Sequence, residues 1–303
     1  MNIFPDNARV CFLGDSITAN GRFVALIHDC FKRNHPHCGI RFFDCGTSGG
    51  SAEWLLRTFD EDIAPHKPTH VFLMIGINDS RRDLLAQPRT CERYEALKAA
   101  FDTWQTNVRE LVRRCKALGA QVTLVSLPPY AEYQSGDSPV LPGAFALTVG
   151  YAAATKAMAL ELDCGFADVH GYLTQKMQAE DIYAEDRVHP LPKGHGYIAE
   201  AILMSRGMPM DGDPMAPHIE RLTQKISDFR SLWAVEYMLI EDDSLTNEER
   251  LSFMEDFVAN ETWNDPKYPD GPRPYFATIS RKYLALKPRH AELAGELDEL
   301  LTV

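Results

Sequence analysis

The sequence predicts an α/β protein in which a parallel sheet is covered by helices on both faces, a three-layer α/β/α sandwich, followed by an α-helical C-terminal extension. Three observations carry this reading. Apolar runs of strand type and amphipathic stretches of helix type alternate through the first two thirds of the 303 residues, the βαβα rhythm of a parallel sheet. The polar, glycine-rich clusters fall after the apolar runs, on the edge where an open parallel sheet forms its sites. The charge also divides the chain. Residues 1–206 hold 21 Lys+Arg and 24 Asp+Glu, and residues 207–303 hold 10 and 19, so a net of −3 is followed by −9 out of −12. Pattern and charge together predict a first part at 1–206 and a separate extension at 207–303.

The elements follow in order. Val10 to Leu13 is a short apolar run ending at Gly14, a buried strand. A helix pattern at 23–33 closes at the Asn34 and Pro36 break, and a second strand at 40–45 runs into the Gly/Ser cluster 46–51. Residues 52–63 are amphipathic, with Trp54, Leu55 and Phe59 on one side, and 71–75 is a third strand stopped by Gly76. The spacing predicts a long helix over 91–118 with Gly119 as its C′ stop. A fourth strand at 121–127 ends at Pro128-Pro129, and the Pro/Gly/Ser/Tyr-rich stretch 130–145 reads as a loop. A helix at 146–162, a short strand at 165–169 and a helix at 195–205 complete the first part. Residues 207–214 read as a connector. Beyond it the pattern predicts helices at 217–240, 247–260 and 274–300, with a capping box at Thr246 and Glu249 and a Pro-rich break at 263–274.

Composition excludes some classes of function. A net charge of −12 argues against a protein that grips nucleic acid or an anionic membrane, because both need basic surface. No apolar run approaches the roughly 20 residues that span a bilayer, and the first residues lack the basic and apolar regions of a signal peptide. The seven cysteines (Cys11, Cys30, Cys38, Cys45, Cys91, Cys115, Cys164) form no C-x-x-C pair. They fit reduced, mostly buried thiols in a cytoplasmic protein. His35, His37 and Cys38 have ligand-like spacing but no second cluster to complete a metal site, so a surface turn is expected there.

Four clusters remain: Gly14-Asp15-Ser16-Ile17, the 46–51 turn, Gly76-Ile77-Asn78-Asp79, and Asp186-Arg187-Val188-His189-Pro190. Each has an ordinary alternative. Ser16 fits a helix N-cap, Gly76 to Asp79 an ordinary turn, the 46–51 turn a flexible connector, and Asp186 with His189 a surface loop. Together they supply something more. Ser16 lies in a strand-to-helix turn where the helix N-terminus favours a developing alkoxide or oxyanion. Asp186 and His189, three apart, let the carboxylate hold the imidazole Nδ1 while Nε2 faces outward as a base. The Ser16 N–H, the Gly49 N–H and the Asn78 amide are candidate oxyanion donors, which completes the requirement for acyl transfer.

On these residues the sequence resembles the SGNH or GDSL hydrolases, serine esterases with a flavodoxin-like fold. The first block implies Ser16 as nucleophile. Asp44 to Gly49 is similar to the second block, with Asp44 where Asn is usual; it implies Gly49 as the oxyanion glycine, with Gly46 and Gly50 as alternatives. The third block implies Asn78 as a side-chain donor, and Asp186 with His189 matches the last, Asp-x-x-His-Pro. The resemblance covers about 8–205 and calls for no metal or organic cofactor.

The expected substrate is a small-molecule or glycan ester, first an O-acetylated carbohydrate, because many relatives are carbohydrate O-acetylesterases. Trp54, Arg81, Arg82, Tyr130 and Tyr133 follow motif strands and are candidates to line the cleft, though an ordinary role is favoured for each, with Trp54 fitting the apolar face of its helix and the arginines a solvated loop. Aromatic residues that did face the site would offer a sugar ring a flat surface. A lysophospholipase or thioesterase on longer acyl chains, and a catalytically silent binding module, are the alternatives. The aromatic residues Trp233, Tyr237, Phe253, Phe257, Trp263, Tyr268 and Tyr275 predict that the extension packs on the catalytic part, forms a homodimer interface, or caps the site.

Overall fold

The computed structural model describes residues 4–134, 138–238, 285 and 287–303. Its elements are β1 (Arg9–Gly14), α1 (Ser16–Ala19), α2 (Arg22–Asn34), β2 (Arg41–Gly46), α3 (Ala52–Arg57), β3 (His70–Met74), α4 (Cys91–Ala117), β4 (Gln121–Val125), α5 (Ala144–Glu161), β5 (Gly165–Ala167), α6 (Val169–Lys176), α7 (Pro192–Met204), α8 (Pro217–Met238) and α9 (His290–Leu300). The strands form one sheet in the order β2-β1-β3-β4-β5, every pair parallel.

The continuous apolar runs are explained by burial on both faces. Val10 and Phe12 of β1 belong to a core shared with α2, α6 and α7, while Cys11 and Leu13 point into a second core shared with α3, α4 and α5. Phe12 stacks on Phe72 of β3 at 5.3 Å in the first. In the second, fully buried Trp104 donates its indole N–H to the Ile75 carbonyl at 3.2 Å. Truncating such a residue to alanine costs about 3–5 kcal/mol.

Two elements depart from expectation. The amphipathic stretch 52–63 is not one helix. Thr58 folds its hydroxyl back onto the Trp54 carbonyl at 3.1 Å, and the chain passes through a π turn at Phe59–Ile63 and a 3₁₀ turn at Ala64–His66. An unforeseen helix, α6, follows β5. It is capped by Asp168, whose Oδ1 accepts from the Gly171 N–H at 2.9 Å; its eight residues are too few, and Gly171 too disruptive, to leave a clear periodic signal.

The described parts of the extension pack on the catalytic part. Ile219, Ile226 and Leu232 of α8 and Leu293 and Leu297 of α9 lie in the same core as α2 and α7. The last residues run antiparallel to the edge strand β2: Gly39 N–H donates to the Val303 carbonyl, Val303 N–H to that of Ile40, and Phe42 N–H to that of Leu301. An edge that would otherwise present unpaired backbone groups is thereby covered. The expected helix at 247–260, its capping box, the break at 263–274 and the aromatic residues from Phe253 to Tyr275 lie outside the described residues, as do the side chains of Trp233 and Tyr237. No helix among the described residues is long and apolar enough to cross a membrane.

Candidate active site

Chain reversal at the end of β1 places Ser16. Gly14 admits no side chain, since a Cβ would collide with Thr18 and the Met74 carbonyl. Asp15, not Ser16, caps α1: its Oδ1 accepts from the Ile17 N–H at 2.9 Å. The serine hydroxyl is thereby left for another partner, and Ser16 Oγ lies 2.7 Å from His189 Nε2. On the other side of the imidazole, Nδ1 is 2.5 Å from Asp186 Oδ2, while Asp186 Oδ1 accepts from the Val188 and His189 N–H groups at 2.9 Å each. The structure thus aligns Ser16, His189 and Asp186 in one hydrogen-bonded row.

The last cluster departs from expectation in its setting. Asp186 and His189 do not follow a strand; they occupy a loop between α6 and α7, beyond the end of β5. Arg187, between them, is buried and adopts φ 64°, a conformation costly for a side-chain-bearing residue and held by surrounding bonds. Its guanidinium donates to the carbonyls of Ala131, Gln134 and Ser138. Arg187 escaped sequence reading because it fills a position the motif leaves open.

The 46–51 turn separates its three glycines. Gly46 N–H donates to Asp44 Oδ1 at 2.9 Å, so aspartate performs the turn-closing role at this position. Gly50 N–H donates to the Thr47 carbonyl at 2.9 Å. Gly49 sits at φ 76° with nothing within 4 Å of where a Cβ would lie, and it is exposed. Thr47 N–H donates to the Gly14 carbonyl at 3.0 Å, joining this turn to the turn that carries Ser16. Asn78 Nδ2 donates to the Gly50 carbonyl at 2.8 Å, which orients the amide and leaves its second N–H available. Asp79 Oδ1 accepts from Ala52 N–H at 2.9 Å, tying the turn after β3 to the start of α3.

The electrostatics sort the titratable groups. His189 is raised above its ordinary value, first by its hydrogen bond to Asp186, against the effect of burial. Burial works against the Asp186 charge as well, but the donors from His189 and Val188 outweigh it and hold the carboxyl far below the usual range. Burial raises Asp15 and Asp79 to about 6 and Asp44 to about 7. Arg82 is half-buried, donates to the Ile77 carbonyl at 2.8 Å, and acts electrostatically on both Asp15 and His189.

The other cleft candidates part ways. Tyr130 does not line a cleft: it is 2% exposed, and its hydroxyl accepts from the Leu141 N–H at 3.3 Å, so it belongs to the core. Arg81 pairs with Asp83 on the surface. Trp54 is half-buried on α3, and Tyr133 is 81% exposed. Among the described residues, one group brings metal-type ligand atoms together, Cys45, Asp62 and His66 within 4.8 Å of one another. Arg230 already donates to both oxygens of Asp62 at 2.7 Å. Neither Asp62 nor Arg230 was singled out in the sequence, because their meeting depends on the tertiary fold.

Residues 12–197 match the model of the GDSL-like lipase/acylhydrolase family. The chain belongs to that family. It is a serine carboxylic ester hydrolase of the SGNH type. An acetylxylan esterase from Geobacillus stearothermophilus is 30% identical over 219 residues, spanning 66% of this chain and 94% of the relative. The crystal structure of that organism's acetylxylan esterase superposes with a TM-score of 0.58 at 27% identity, covering 70% of this chain and 100% of the other. An α/β hydrolase enzyme from the metagenome of Lake Arreo, Spain, gives a TM-score of 0.55 at 26% identity, covering 69% and 99%. The family match ends at residue 197, before α8.

Proposed function

We propose that the protein removes O-acetyl groups from a carbohydrate through an acyl-enzyme on Ser16. The observation that carries the mechanism is the row Ser16 Oγ, His189 and Asp186, at 2.7 and 2.5 Å. His189 takes the serine proton as Oγ attacks the ester carbonyl, then returns it to the departing sugar oxygen. Asp186 holds the imidazole tautomer with Nε2 as acceptor and stabilises the imidazolium. The tetrahedral oxyanion is received by the Ser16 N–H, the Gly49 N–H and the free N–H of Asn78, each well-placed donor contributing about 3–4 kcal/mol. Gly49 is chosen over Gly46 and Gly50 because the N–H groups of those two are spent inside the turn. Water then repeats the cycle and releases acetate.

The acetylated carbohydrate is supported by likeness to the acetylxylan esterase. A panel of acetylated xylo-oligosaccharides and other acetylated sugars, alongside aryl acetate and aryl octanoate esters, tests it. Fast release of acetate from the sugars with poor use of octanoate is expected. Preference for octanoate would assign the chain to longer acyl groups. A folded protein whose Ser16 resists a fluorophosphonate would point to a binding module instead.

A further inference from the structure

We propose that Arg230, supplied by the extension, is a positioning residue that holds the 46–51 turn in the shape presenting the Gly49 N–H. The inference rests on the reading of Gly49 as an oxyanion donor. Helix α8 packs against α1, α2 and β2 and sends Arg230 inward until 2% of it remains exposed. Nε donates to the Gly46 carbonyl at 2.7 Å, and Nη2 lies 3.4 Å from Thr47 Oγ1. The same fork donates from Nη1 and Nη2 to the two oxygens of Asp62 at 2.7 Å each. Asp44 Oδ1, the group that closes the turn through Gly46 N–H, is 3.9 Å from Nε. One planar guanidinium thus fixes the carbonyl side of Gly46 while neutralising the two carboxylates beneath the turn, a task for which a rigid fork is suited and an ammonium is not.

The geometry of Gly49 makes this matter. At φ 76° and with open space around it, Gly49 has no packing of its own to aim its N–H. Its direction is set by the anchors on either side. Those are the Gly46–Thr47 end, held by Arg230 and by the Thr47 N–H to Gly14 carbonyl bond, and the Gly50 end, held by Asn78. Gly46, the last residue of β2, cannot shift toward α1, since even a Cβ there would collide with Thr18 and the Ala19 N–H. Arg230 lies beyond residue 197, where the family match stops, so this chain's extension serves the chemistry as well as the fold.

The test uses full-length protein carrying Arg230→Met together with Asp62→Leu, which removes the buried pair as a unit and leaves no uncompensated charge at Asp62; Arg230→Met alone is made beside it. Rates on an aryl acetate are expressed per serine labelled at end point by a fluorophosphonate, so that misfolded molecules do not count. For the double variant we expect kcat per labelled serine to fall about 10–100-fold with KM changed less than about 3-fold, as for a displaced transition-state donor. The acid limb of the pH profile, set by His189, stays in place. Wild-type kcat per labelled serine, with only the labelled fraction reduced, would overturn the proposal and leave the esterase reading standing. Failure of wild-type protein to label at Ser16 would instead bring down the esterase reading on which the proposal rests.

Discussion

The two halves of the proposed catalytic site are built by opposite means. The serine and oxyanion half is part of the sheet edge. The turns after β1, β2 and β3 are stitched together by Thr47 to Gly14, Asn78 to Gly50 and Ala52 to Asp79, with Arg230 packed beneath. The acid and base half rides on a loop away from any strand end, and the side chains of Asp186 and His189 remain 47% and 44% exposed. Its bracing comes from Arg187 and from the backbone bond of Ala184 N–H to the His189 carbonyl at 2.8 Å. The difference follows from the two tasks. Stabilising a transient oxyanion requires donors fixed in advance, whereas a proton shuttle needs one hydrogen-bonded row and access to water. Substitutions of the groups that stitch the first half together should therefore disturb rate and stability together, whereas those of Ser16, whose hydroxyl bonds only across to His189, and of the second half should disturb rate with little effect on stability.

The largest effect expected is that of Ser16→Ala. Loss of the nucleophile should lower kcat on an aryl acetate by at least about 10⁴-fold, while circular dichroism and the thermal midpoint stay near wild type because the hydroxyl's one bond is to a half-exposed imidazole. Near-wild-type turnover by this variant would break the assignment of the first half altogether. Next comes Asn78→Ala, expected to lower kcat about 10²–10³-fold. Because its amide also satisfies the Gly50 carbonyl, the variant should lose about 1 kcal/mol in urea unfolding. A rate loss without a stability loss would mean that this half is less interlocked than the hydrogen bonds indicate.

The same contrast explains what could be read in the sequence. Strands buried on both faces appear as unbroken apolar runs, so Val10 to Leu13 and 71–75 were readable from residue type alone, and Ser16 and Asn78 stood out by following them. Which glycine N–H groups are engaged within the turn was not readable, because those of Gly46 and Gly50 are taken by Asp44 and the Thr47 carbonyl through contacts that need coordinates. Arg230 was invisible for a stronger reason: it meets Gly46 across 184 residues of chain, and no local pattern marks a buried arginine. Tyr130 was not placeable, because an aromatic in a Pro-rich loop looks the same whether it faces the cleft or, as here, the core.

The pH profile sharpens the comparison on the acid and base side. On the proposed mechanism His189 must be neutral to accept the serine proton, so activity should fall as pH drops through its raised value. Asp186→Asn removes the hydrogen bond that raises it, and should therefore move the acid limb to lower pH while reducing kcat. For stability the sign is reversed. A raised histidine contributes stability that is fully present below its unfolded value near 6.5 and is lost as pH rises through the folded one. Being 44% exposed, the pair should contribute little after solvent screening. Rate profiles and thermal midpoints of both proteins between pH 5 and 8 check this, and an acid limb that does not move would deny His189 the role of base.

The smallest effect concerns the rim. Tyr133 is 81% exposed, with its ring 6.2 Å from that of Phe145. Its loop is tied to the acid and base side, since Arg187 donates to the Ala131 and Gln134 carbonyls and Ala131 N–H to the Arg187 carbonyl at 2.9 Å. An aromatic face so exposed adds nothing to the core, so Tyr133→Ala should leave stability within about 0.5 kcal/mol of wild type. If it offers a platform for the sugar, KM for acetylated xylo-oligosaccharides should rise about 5-fold, the equivalent of about 1 kcal/mol of ring contact. Turnover of an aryl acetate, too short to reach the rim, should not change. An equal loss on both substrates would show that the loop acts through Arg187 on the position of His189. No change on either would mean that Tyr133 does not touch the sugar.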